Sequence, residues 1–548
     1  MSYLIRHKSR DRRVLSILVA GLILGTQFPL LASDRTPQAV PQAVQTQAVR
    51  LEEQAAELFK QGKYREATPL LEQALRIRET ALGKEHLSVA MALTNLAEAY
   101  SKQGQYRAAE LLGVRALQIR ETALGKDHPT VASSLNLLSV LYIYQGQFAK
   151  TEPLLLRAIA IQEAAVGQDH PIIATLLNNL AELYRLQGQY AKVKPLYKRS
   201  IRIDEARLGK NHPEVATSLS NLAIFLLYQS EYREAEALTL RALKIREQAL
   251  GTNHPQVAMT LNTLGAIYYQ QGQSAKAEPL YSRALSIQEK TLGQEHPDVA
   301  LTLHNLGGVY DHQGKLTQAE SFYLRALNLR ERILGANHPD VAATLMNLAF
   351  LYQTRKQYSK AESTYLRAIQ INEATFGKDH SRVADLLHRL AGLYLDLRQL
   401  TKAEEFYNQA LSIREAKLGA DHPDVGATLF GLALIHKTEK QYAKAEQLFL
   451  RSRTIYEARL GKEHPWMATL LLQLGDLYLS QGQSNRAEAL FQDSLRVAEK
   501  SLGEESPTTI AILENLAAVY KNLGNSAKSQ QLTERVAAIR KKISVAPR

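Results

Sequence analysis

Ten histidines stand on a fixed spacing in this 548-residue chain: His86, His128, His170, His212, His254, His296, His338, His380, His422 and His464, each 42 residues after the last. Imidazoles in such a series could ligate a metal or move protons. Zinc needs its nitrogen ligands at ~2.0–2.1 Å from one ion, whereas equivalent residues on successive packed helices stand at least ~8–10 Å apart. No two ladder histidines can share a metal. Most are followed by proline, which suits a first helical position, so the expected role is to cap the start of a helix. His304, Asp311 and His312 are the cluster outside the ladder, and their spacing gives neither HExxH nor a triad order. The chain has no cysteine, which excludes thiolate zinc sites, iron–sulfur clusters, cysteine nucleophiles and disulfides. It also lacks GxxxxGK[ST], GxGxxG and GxSxG, the motifs that cradle phosphates or present a nucleophilic serine. Nothing in these residues argues for an enzyme, a cofactor or a metal.

The elements that position the histidines follow the same ruler. A glycine closes each unit at Gly83, Gly125, Gly167, Gly209, Gly251, Gly293, Gly335, Gly377, Gly419, Gly461 and Gly503. A leucine recurs from Leu96 and Leu138 through to Leu474 and Leu516 at the same period. In the unit starting at His128, Leu135, Leu138 and Tyr142 share one face of a helix predicted from about Val131 to Tyr144. Gln145-Gly146 supplies a tight turn, and a second helix is predicted from about Ala149 to Ala165, with Gly167 in a left-handed C-cap. One such helical hairpin cannot bury its own apolar face, so neighbours must stack into a solenoid with contacts between adjacent units.

The pattern LTNLAEAYSKQGQYRAAELLGVRAL, Leu93 to Leu117, resembles a tetratricopeptide repeat. The 42-residue period and the ending LGxxHPxVA are similar to the variant found in kinesin light chains and many bacterial repeat proteins. The resemblance implies an all-α fold, a right-handed α-solenoid superhelix of about twelve helix-turn-helix repeats. Residues 46–548 hold twelve such copies as one elongated domain, and the polar last helix, 526–543, reads as a solubilising cap.

The resemblance also implies that the first helix of each repeat lines a concave groove for an extended peptide. The position before the fixed leucine holds Asn95, Asn179, Asn221, Asn305, Asn347 and Asn515. An amide carries both a donor and an acceptor, so it can bond a peptide backbone without demanding one side chain. A carboxylate clamp is not expected, because only Arg389 is basic at that position. The neighbouring inward positions vary between units. Met346, Phe350, Phe430, Leu434 and Leu472 are expected to form an exposed apolar stretch beside His388 and Arg389, taking an apolar-acidic segment of a partner. Tyr144, Tyr228 and Tyr269 are aromatic beyond the consensus and are weaker candidates.

Residues 1–32 have a signal-peptide layout: Arg6, Lys8, Arg10, Arg12 and Arg13, the apolar run from Val14, then a small residue at Ala32 or Ser33. Export to the periplasm or beyond is expected, with anchoring in the inner membrane by residues 14–32 as the alternative. Residues 33–45, with PQAV twice, read as a flexible linker. Five cations and one acid lie in residues 1–32, so the net +13 falls to +9 without them. That surplus is spread among interleaved acids, which argues against a nucleic-acid partner. The expected function is a protein-binding scaffold, with a nucleic-acid-binding helical repeat or a self-assembling structural element as alternatives.

Overall fold

A computed structural model describes residues 42–545. The signal segment and most of the linker lie outside the described residues, and the first helix, Gln42–Lys60, begins within the stretch read as linker. Twelve helical hairpins follow one another, with no strand among the described residues. From the second repeat on, a 16-residue A helix alternates with a 19-residue B helix, as in Pro129–Tyr144 and Phe148–Val166. The last B helix, Ser526–Val545, has 20 residues. The described residues divide into two compact units, up to His380 and from Ser381.

Local chemistry explains the borders. Each ladder histidine outside repeat 9 turns its Nδ1 toward the backbone N–H two residues on, as at Ser88, Glu214 and Asp298, at 3.1–3.3 Å. Ser506 does the same with its hydroxyl oxygen for Thr508. One orphan donor of each of these ten A helices is thereby satisfied. The glycines that close the B helices differ from the expected left-handed cap. Gly167 has φ 84° and ψ 164°, the mirror image of extended backbone, which is essentially reserved for glycine.

Consecutive B helices are joined by a rung that recurs through the array. An arginine reaches a glutamate 36 residues earlier in Arg115–Glu79, Arg157–Glu121, Arg199–Glu163, Arg241–Glu205, Arg283–Glu247, Arg325–Glu289, Arg367–Glu331, Arg451–Glu415 and Arg535–Glu499. Several of these arginines also donate to a carbonyl of the loop that ends the earlier repeat, such as Arg157 to Lys126. Underneath lie buried aromatic rings, including Tyr197, Tyr281, Tyr323 and Tyr365, at one position of the B helices, with the smaller Thr239 between the first two.

Within residues 42–380 the chain also touches itself at long range, which corrects the expectation of contacts between adjacent repeats alone. The turn at Gly62 lies against His296 and Pro297, the turn at Gly104 against His338 and Pro339, and the turn at Gly146 against His380. Each pair is 234 residues apart, about 5.6 repeats of 42. The His296 side chain bonds the Lys60 carbonyl, at the end of the first A helix. Tyr106 stacks on Phe376 at 5.6 Å, and Phe376 stacks on His380 at 4.5 Å. Three of the early turns thus seat on three later His-Pro corners, or His-Ser in the case of His380, and form a seam.

Candidate functional site

The A helices carry the amides that the sequence singles out. Asn95, Asn179, Asn221, Asn305 and Asn347 are all buried, and Asn515 is partly so. Two of them bond across repeats. The Asn179 amide donates to Asn136 Oδ1 at 2.7 Å, and the Asn347 amide meets His304 Nε2 at 2.7 Å. Asn262, not singled out from sequence, donates likewise to Thr302 at 2.8 Å. Part of the column is therefore structural glue between A helices. Much of its capacity is unspent: Asn95 Nδ2, Asn179 Oδ1, Asn347 Oδ1 and both side-chain atoms of Asn305 are buried without a hydrogen-bond partner. Such orphaned groups cost roughly 1–3 kcal/mol each.

His304 belongs to this column rather than to a catalytic cluster. Its ring is 1% exposed and packs edge-on against Tyr323 at 5.2 Å. Burial first, and the Arg330 charge second, hold its pKa well below the usual range, so the ring is neutral. His312 is engaged elsewhere, its Nδ1 lying 2.8 Å from the Ser274 hydroxyl. Among the described residues, no three His, Asp or Glu side chains gather as metal ligands.

The exposed apolar stretch is corrected. Phe430 is 7% exposed, Leu434 2% and Leu472 0%, and all three belong to one core cluster with Phe449, Tyr456 and Phe491. Phe430 meets Phe449 edge-on at 5.5 Å. Met346 and Phe350 are likewise buried. Their positions on A helices were read as facing open groove, and packing against neighbouring elements takes them instead. His388 and Arg389 are partly exposed; the His388 ring packs on Tyr407 at 5.0 Å, with Arg414 3.4 Å from its Nδ1.

Other polar groups escaped the sequence reading. Arg246, Arg330 and Arg414 are buried on B helices, and each donates to a threonine 14 residues on. Arg414 has a carboxylate at hand, Asp385 at 2.6 Å. Burial lowers the pKa of Arg246 to about 10. Glu182 and Arg185 form a buried bidentate pair at 2.7 Å, with the guanidinium over the Tyr228 ring. That accounts for one of the extra tyrosines; Tyr144 stacks on Tyr106 in the seam, and Tyr269 packs on His312. A cleft of about 930 Å³ opens between the B helices of repeats 4 and 5, where Lys194 pairs with Glu231 and Glu234. The period of the arginines was visible in the sequence, but their partners depend on the register between helices.

No helix among the described residues is long and apolar enough to cross a membrane. No curated protein matches the chain. Among solved structures, BtubC (BKLC) from P. vanneervenii is similar at 23% identity over 42% of this chain and 92% of its own, with a TM-score of 0.36. A putative kinesin light chain of nearly identical TPR-like repeats from Podosopora anserina is similar at 27% identity over 38% of this chain and 99% of its own, with a TM-score of 0.33. The tetratricopeptide repeat profile matches residues 47–122, 130–206, 172–247, 214–290, 256–332, 298–374, 382–458, 431–500 and 466–542. With hairpins, caps and period in agreement along that span, the chain belongs to the tetratricopeptide repeat family.

Proposed function

We propose that this chain is a non-catalytic scaffold that takes an extended segment of a partner protein along its A helices, in the bacterial cell envelope. Tetratricopeptide repeat proteins generally mediate protein–protein interaction and are typically non-catalytic. The observation that carries the reading is the amide column, above all Asn305, whose donor and acceptor are both unpaired. A polypeptide backbone offers alternating N–H and C=O groups, which match such amides without fixing the partner's side chains. These atoms are closed to water, so a segment reaches them only when neighbouring repeats part. Placement in the envelope rests on the basic, apolar and small-residue order of residues 1–32.

Crosslinking in intact cells, with mass spectrometry of the wild type and of Asn305→Ala/Asn347→Ala, tests the binding reading. Partner peptides should crosslink to A-helix residues near 305 and 347 and be depleted in the variant. Crosslinks confined to B helices, or unchanged by the substitutions, would sink the groove reading. Cell fractionation tests the location: recovery in the cytosol would remove it.

A further inference from the structure

The seam within residues 42–380 depends on bare turns. A Cβ added at Gly62 would lie 2.2 Å from Pro297 Cδ, one at Gly104 2.8 Å from Pro339 Cδ, and one at Gly146 3.0 Å from His380 Nε2. The contact involves the first side-chain atom, so no rotamer avoids it: at Gly62 and Gly104 something must shift, and at Gly146 the His380 ring must give by a few tenths of an ångström. Turns outside this seam are not so constrained: a Cβ at Gly272 or Gly314 would meet nothing within 4 Å. Three later turns carry long cations instead. Lys356, Arg398 and Lys440 have φ of 59°, 58° and 62°, and their side chains are exposed. Glycine would adopt that backbone more easily, so local conformation does not account for these residues.

The other half of the seam is also present unpaired. His170 and His212 are exposed at their His-Pro corners, and His86, His128 and His254 are partly so, whereas the seated His296, His338 and His380 are buried, as are His422 and His464. One chain therefore displays open corners and open turns of the kind that pair within it. Surfaces that complement each other head to tail invite copies to add without closure. We infer that Lys356, Arg398 and Lys440 keep a second copy of this chain from seating three successive His-Pro corners on its turns, since the bare turns on either side, Gly272 with Gly314 and Gly482 with Gly524, come only in pairs. The bulk at each turn acts as edge protection, in the way that lysines guard an exposed sheet edge.

Sedimentation velocity of the full chain across a wide concentration range tests this. The wild type should keep one sedimentation coefficient, and Lys356→Gly/Arg398→Gly/Lys440→Gly should shift to larger species as concentration rises. Lys356→Ala/Arg398→Ala/Lys440→Ala removes the charge but keeps each Cβ, and should behave as the wild type does. A glycine variant that stays a single species overturns the inference. So does an alanine variant that associates equally, or a wild type that already associates as the glycine variant does.

Discussion

Asp204 sits 4% exposed on a B helix and accepts a bond from the Ser218 hydroxyl at 2.7 Å. Burial pushes its carboxyl up to about 6, against the lowering effect of Ser218, with Glu214 adding to the rise and His212 opposing it. A folded value above the unfolded one means that the folded state holds the proton more tightly. The associated stability is present below pH ~4 and is lost as pH rises through about 6. Asp204→Asn should therefore match the wild type near pH 3.5 and exceed it by about 2–3 kcal/mol above pH 7. Urea denaturation at several pH values checks this; an equal difference at all pH values would refute it. The histidine caps were legible in the sequence because capping is local, linking residues two apart. The role of the asparagines was legible only in part, since Asn179 meets Asn136 and Asn347 meets His304 across 43 residues, a register that no local pattern encodes.

At the scale of single elements, glycine, proline and the apolar stripe fixed helix borders to within a residue or two, as in Phe148–Val166 against an expected Ala149–Ala165. Burial of A helices was less legible: a helix covered on most sides has no polar stripe to report its orientation, so Phe430 and Leu434 read as groove and proved to be core. The four turns with Ser230, Lys356, Arg398 and Lys440 in place of glycine hold a positive φ. A non-glycine residue there costs roughly 1–2 kcal/mol, so these turns should open more often than those at Gly272 or Gly314. Lys356→Gly should slow hydrogen exchange around residue 356 about fivefold, for a gain of roughly 1 kcal/mol; uniform protection at all twelve turns in the wild type would refute this. The arginine rungs have a different weight. Arg241 is 40% exposed where it meets Glu205 at 2.5 Å, and exposed pairs contribute about 0.2–1 kcal/mol. Arg241→Met should lower stability by no more than about 1 kcal/mol, an effect that shrinks in high salt and is read by denaturation with and without added salt.

The seam operates at the largest scale described for residues 42–380, and it was the least legible. Its register emerges from a small rotation repeated at each hairpin, accumulated over about 5.6 repeats. Its traces in the sequence were single departures from consensus: Phe376 where most other units have leucine, and Tyr144 beyond the pattern. Both prove to stack with Tyr106. Contacts between repeats 1 and 7 change the expected unfolding, because a nearest-neighbour array transmits damage only to the adjacent unit. Deleting residues 1–83 should raise hydrogen exchange at residues 296–300, where His296 bonds the Lys60 carbonyl; a pure nearest-neighbour solenoid predicts no change there. A paired substitution separates backbone strain from lost contact. Gly104 and Gly314 have nearly equal φ, 73° and 76°, but only Gly104 is seated, against Pro339. Lysine at either should suffer the same backbone penalty, which the chain already tolerates at Lys356. Gly104→Lys should in addition expose the corner at His338 and accelerate exchange around residues 338–342, whereas Gly314→Lys should leave that corner protected. If binding along the A helices requires repeats to part, the seam opposes it, and Gly104→Lys should then bind the crosslinked partner segment faster than the wild type does. Equal association rates for the wild type, Gly104→Lys and Gly314→Lys would show that the segment enters without opening the coil.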